Sequence, residues 1–272
     1  MTRMLSHRGG TAAVAAALTL SLAGPASAAP ARTTVLSQDL GVRTPIGTST
    51  RFSPCPPNPK NWCVQQTRFS GAVEIRRSLV RKAGPASLFI GTPDRTAITD
   101  RAYALNTTLA GKPLSSLTTL AYQSYVITRS TADARQAPVL QITVDPDGSG
   151  PNLMPTFLLW DPRYAAQHCG GKRVAVGVWQ AWTPSAACGW WSPFNTSVTP
   201  PGQLTATGAI GTMGFAQRTA TFAQVKAALR NMRILAVGIN QGISPEGGNP
   251  GLSSNVDLLK VNNTTYDFEA RR

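Results

Sequence analysis

Val139-Leu140-Gln141-Ile142-Thr143-Val144, then Asp145-Pro146-Asp147-Gly148-Ser149-Gly150, then Leu153–Trp160, is the stretch that decides how this chain folds. Leu140, Ile142 and Val144 alternate with Gln141 and Thr143, the period of two expected of a strand with one buried face. One proline, two aspartates and two glycines suit a turn better than a ladder, so the two apolar runs read as a hairpin. The same Asp145–Gly150 segment has the first half of a D-x-D-G calcium loop but lacks the later ligands and the terminal glutamate of an EF-hand. Calcium is the one cofactor it suggests, and otherwise none is expected.

Working outward, short apolar runs bounded by turn residues recur at Ala72–Val80, Ser87–Ile90, Leu117–Ile127, Val174–Trp182, Ile234–Asn240 and Val256–Val261. Many short strands separated by Gly and Pro turns imply an all-β fold, a jelly-roll-like β-sandwich. One segment departs from this pattern. Phe222, Val225, Leu229 and Met232 recur at helical spacing, and Thr221 with Gln224 forms a capping box, so a single decorating helix is expected near 221–232.

The N-terminal residues carry Arg3, His7 and Arg8, an apolar run from Thr11 to Ala23, and Ala26-Ser27-Ala28 after Pro25. That order reads as a secretory signal peptide over 1–28, and its apolar run is too short to span a bilayer. The expected location is extracellular, without a membrane anchor. Cleavage after Ala28 leaves 244 residues, with 24 basic against 12 acidic and a net charge of +12. Such a charge favours an anionic partner, though no run of like charge marks a nucleic-acid arm. Residues 29–68, with Ser53-Pro54-Cys55-Pro56-Pro57-Asn58-Pro59, read as a proline-rich arm, and 69–272 as the β-sandwich domain. The oligomeric state is not legible.

The four cysteines, Cys55, Cys63, Cys169 and Cys188, read as disulfides in an exported chain. Of the three possible connectivities, the sequence-local Cys55–Cys63 and Cys169–Cys188 need the fewest assumptions about distant segments. Zinc is disfavoured because no C-x-x-C spacing occurs and His168 sits directly beside Cys169.

Gly238-Ile239-Asn240-Gln241-Gly242, Gly248-Asn249-Pro250-Gly251-Leu252, Asn255-Val256-Asp257 and the ending Asn263-Thr264-Thr265-Tyr266-Asp267-Phe268-Glu269 carry a resemblance. The chain looks like a group of secreted actinobacterial β-sandwich proteins that end in a V-D-x-L-x-V-N-x-T-T-Y-D-F-E-like strand, turn and strand. The likeness extends more loosely back to about Ser87. It implies a concanavalin-like or galactose-binding-like jelly roll and export, and supplies no catalytic residue.

A hydrolase of the Ser-His-Asp kind needs a base, but His168 is the sole imidazole after residue 28 and no G-x-S-x-G elbow accompanies it. Glycoside hydrolysis needs two facing carboxylates, and no pair stands out, though folding could bring Asp161 and Glu246 together. Aromatics are more informative, because Trp179, Trp182, Trp190 and Trp191 place four of six tryptophans within 13 residues, with Trp160 and Tyr164 upstream. Exposed rings stack on sugars, whereas Trp160 and Trp179, embedded in apolar strands, read as core. Trp190 and Trp191 are neighbours, so in a strand one ring should face the core and the other outward. The candidate ligand-binding residues are therefore Trp190, Trp191, Trp182 and Tyr164. The function expected is non-enzymatic binding of a polysaccharide or anionic envelope polymer. The alternatives are a secreted polysaccharide hydrolase and a structural or adhesive protein.

Overall fold

The structure is a computed structural model, which describes residues 30–41, 43–46, 60–67, 71–80, 82–92, 101–128, 136–145, 156–192, 219–229, 232–242 and 251–270. Two sheets hold nearly all of it. The first contains β1 (Ala31–Leu36), β4 (Ala72–Arg77), β5 (Ala86–Thr92), β7 (Leu120–Thr128), β10 (Trp179–Trp182), β14 (Leu252–Val261) and β15 (Thr264–Glu269). The second runs in the order β12 (Ala220–Thr221), β11 (Cys188–Trp191), β9 (Thr156–Trp160), β8 (Val139–Asp145), β13 (Arg233–Gln241), β6 (Arg101–Asn106), β3 (Trp62–Thr67) and β2 (Arg43–Ile46). The expected all-β sandwich is what folds, and the chain repeatedly crosses from one sheet to the other.

Alternation explains the layers. In β7 every second residue from Leu120 to Val126 is buried, while Ala121, Gln123, Tyr125 and Ile127 are partly exposed. Leu140, Ile142 and Val144 of β8 meet Leu158 and Trp160 of β9 in the same core. The β8–β9 pairing is the hairpin expected from the opening stretch, and its connecting residues lie outside the described ones. Across the interior, Trp160 meets Tyr122 and Trp182 at ring distances of 6.2 and 6.0 Å, and Trp62 packs edge-on against Tyr266 and Phe268.

The first sheet forks at β14. Its residues Leu252–Val256 pair with β5, and Leu259–Val261 with β15, while β7 lines the opposite edge along most of its length. A bulge at Asp257, with Leu258 at φ 51°, separates the branches. The turn after β14 holds Asn262 at φ 54°, and its Oδ1 accepts from the Thr118 backbone N–H at 2.8 Å. This hairpin agrees with the strand, turn and strand read at the C-terminus.

Residues 29–68 are more than an arm. β1 runs parallel to β15, β3 pairs antiparallel with β6, and Trp62 and Val64 enter the core. Thr33 and Thr34 make β1 look like loop, yet β-branched threonine suits an exposed edge strand. Two α-helices occur among the described residues. The expected one, α2 (Phe222–Ala228), starts at Thr221, whose hydroxyl accepts from the Gln224 N–H while the Gln224 side chain accepts from the Thr221 N–H. It is shorter than the apolar spacing suggested, but Leu229 is still fully buried just past its end. The other, α1 (Pro162–His168), has Asp161 as N-cap and Pro162 in its first turn.

Candidate functional site

The four expected ligand-binding residues are all core. Trp190 is 0% exposed and Trp191 2%, and Trp182 and Tyr164 are buried as well. The geometric premise holds, since the two neighbouring rings do point to opposite faces of β11. Trp190 faces the interior, where it stacks on Phe222 at 4.9 Å and donates its indole N–H to the Pro184 carbonyl. Trp191 faces the other way but is covered by α1, with the Tyr164 ring edge-on at 5.7 Å. Gly189, at φ 110°, lets the helix lie directly on the strand, because a side chain there would meet the Ala165 backbone. The second sheet is thus packed on both sides at this point, with Tyr103, Leu105, Phe157 and Leu159 in the same outer cluster.

The tryptophan that stays partly exposed is the one that read as core. Of the six tryptophans, all but Trp179 are buried, and of the five tyrosines, all but Tyr125. These two are directly paired across β10 and β7, with ring centroids 5.8 Å apart and planes at 54°. Both point to the outer face of the first sheet, since Trp182 and Tyr122 in the same ladder point inward. Val176 and Val178, 43% and 49% exposed, precede Trp179 immediately, and Ala181 is exposed beyond it. Trp179 Nε1 finds no hydrogen-bond partner among the described residues.

This patch is held firmly. Cys169 and Cys188 are disulfide-bonded, closing a segment that contains all of β10. Within it the Gln180 amide takes the place of a missing strand, donating to the Arg173 carbonyl at 2.8 Å and accepting from the Ala175 N–H at 2.7 Å. Gly177 N–H donates to the Val126 carbonyl at 3.0 Å, fastening the loop to β7. The pattern extends across the sheet as one register row, Trp179, Tyr125, Asn255, Phe89 and Glu74. The Arg76 guanidinium lies 3.3 Å over the Phe89 ring and bonds Glu74, and Ser78 crosses to accept from the Asn255 amide at 3.1 Å.

The residues of the C-terminal pattern gather at the fork and serve the fold. Asp257 is wholly buried and accepts from the N–H groups of Ala83, Leu258 and Phe268, which belong to three different segments. Burial pushes its carboxyl up to about 7, with Asp267 adding to the rise and the three backbone donors opposing it. Asp267 takes a hydrogen bond at 2.9 Å from Arg32 Nε of β1, and Glu269 packs over Gly84. These carboxylates hold strands together, and none lines a cleft.

His168 is exposed at the end of α1, beside the bonded Cys169, its ring 6.1 Å from that of Tyr164. Cys63 is also disulfide-bonded, and Cys55, expected as its partner, lies outside the described residues. Glu246 and most of the calcium-like segment lie outside them too, while Asp145 is buried opposite Arg233 in the β8–β13 ladder. No group of three metal-ligating side chains occurs among the described residues. Nor is any helix there long and apolar enough to cross a membrane. The fold and this face define a disulfide-braced β-sandwich with an open aromatic pair on one sheet. No family model, no curated protein and no solved structure matches the chain.

Proposed function

We propose that this is an exported, non-enzymatic binding protein whose ligand is a polysaccharide, and that the ligand stacks on Trp179 and Tyr125. The observation that carries the reading is the contrast between these two rings and every other tryptophan and tyrosine of the chain, all of which are buried. Leaving part of each ring in water forgoes some apolar burial, so a partly exposed pair on a braced edge strand has a use if an apolar sugar face covers it. A site that is fixed before the ligand arrives loses little entropy on binding, and the disulfide with the Gln180 clamp provides that fixation. Export accords with the signal-like first 28 residues and with the Cys169–Cys188 bond.

The test is a pull-down of the purified protein on insoluble polysaccharides, comparing parent with Trp179→Ala and Tyr125→Ala. Both variants should fold and lose less stability than Trp190→Ala, because part of each ring is already in water, and both should lose retention. A Trp179→Ala protein that folds normally and is retained like the parent on every polymer that holds the parent would overturn the assignment of this face. Release of reducing sugar from the same polymers would favour the hydrolase reading.

A further inference from the structure

We infer that the polysaccharide taken by this face is a polyanion, a polymer of acidic sugars that meets lysine and arginine while its rings stack on Trp179. The inference rests on the reading of Trp179 and Tyr125 as a sugar platform and adds the chemical class of the ligand. It comes from where the chain places its carboxylates. Among the described residues, Asp39, Asp145, Asp161, Asp257 and Asp267 are all buried. Their work is internal: Asp39 accepts from the Leu36 N–H after β1, Asp161 caps α1, and Asp257 and Asp267 tie the fork of the first sheet. Glu269 is partly covered against Gly84, and Glu74 is held by Arg76 at 3.1 Å.

The cations are arranged in the opposite way. Lys82, Lys112, Lys172 and Arg173 are exposed. Among the described residues positive charge is therefore presented outward with little negative charge between the basic groups, the arrangement that attracts an anionic polymer and repels a cationic one. Two of these cations lie close to the platform along the chain. Lys172 and Arg173 stand in the same disulfide-closed segment as Trp179, and the Gln180 amide fixes the Arg173 carbonyl next to β10. Ring, aliphatic flank and cations thus lie on one short braced stretch, which suits a polymer that has apolar ring faces and a carboxylate on each repeat.

The experiment measures Kd for polygalacturonate and for its fully methyl-esterified form, the same sugar chain with its charge removed, in low salt and in about 0.5 M NaCl. The expected result is that the ester binds about tenfold or more weakly at low salt, and that salt brings the two forms together as the screening length shrinks. Lys172→Ala combined with Arg173→Ala should weaken binding of the acid form and leave the ester unchanged, whereas Trp179→Ala should weaken both. Equal affinity for acid and ester, or an affinity indifferent to salt, would overturn the polyanion inference. If Trp179→Ala weakens both forms equally in that case, the sugar platform stands without it. Loss of acid binding in the double cation variant, with no effect of Trp179→Ala, would leave the polyanion and remove the platform.

Discussion

Asp257 makes the folded chain's stability depend on pH in a direction unusual for a carboxylate. Its carboxyl is raised from 3.8 to about 7 by burial at the fork of the first sheet. Between those values the folded protein holds a proton at Asp257 that the unfolded chain has released, so the contribution of this group is most favourable below pH 3.8 and falls as pH rises through the window. It levels off once the folded carboxyl has also ionised, above about 7. Three pKa units of difference correspond to about 4 kcal/mol lost from one end of the window to the other, at 1.36 kcal/mol per unit. Asp257→Asn removes the titration. The variant keeps an acceptor for the Leu258 and Phe268 N–H groups but turns an amide N–H toward that of Ala83, which should cost about 1–2 kcal/mol at every pH. Urea unfolding of parent and variant from about pH 4 to about pH 8 decides it. The parent should be the more stable at the acid end and the variant at the alkaline end, with a crossing between them. Asp267, the charged neighbour that adds to the rise, is common to both proteins. Two stability curves that run parallel, or a parent that gains on the variant as pH rises, would refute the argument.

Two further outcomes follow from the packing. Trp190→Ala and Trp191→Ala should both destabilise, each by about 3–5 kcal/mol, since both rings are buried; thermal melts that spare either one would contradict the covering of β11 by α1. Leu229→Asp should prevent or severely weaken folding by burying an unpaired charge, whereas Gln224→Ala should lose only the capping box, about 1 kcal/mol by chemical denaturation.

The sandwich is readable in β7, where one strand face is wetter than the other and the side-chain period survives in the sequence; β8 keeps the alternation although both its faces are buried, because Gln141 and Thr143 bond each other and Gln141 accepts from Asn240. The sandwich is unreadable in β6, where Ala102 to Asn106 are all buried and no alternation remains, and in β1, whose exposed threonines and arginine resemble a loop. The helix α2 announced itself through Thr221 and Gln224. Asp161 followed by Pro162 is a comparable start signal for α1. The short helix it begins decides where the site can lie. Adjacent tryptophans do face opposite ways, but a helix lying on the second face made both of them core, and only its placement reveals this. Trp179 misled in the converse sense, since the apolar residues around it, Val176 and Val178, are themselves on the surface. An apolar neighbourhood in sequence implies burial only when the segment lies inside a sheet, and β10 is an edge.

The parallel pairing of β1 with β15 bears on the order in which the molecule assembles. Arg32 and Asp267, which join these strands, are 235 residues apart in the chain. The first strand consequently has nothing among the described strands to dock on until the last one exists, and closing so long a loop is slow compared with forming a hairpin. Assembly should end with a latch, in which the body of the sandwich condenses first and β1 snaps onto the edge of β15. Until it does, β15 offers a bare row of backbone donors and acceptors to any passing strand. The latch is thus also a safety catch, and a chain lacking residues 31–36 should keep its core yet self-associate through that uncovered edge.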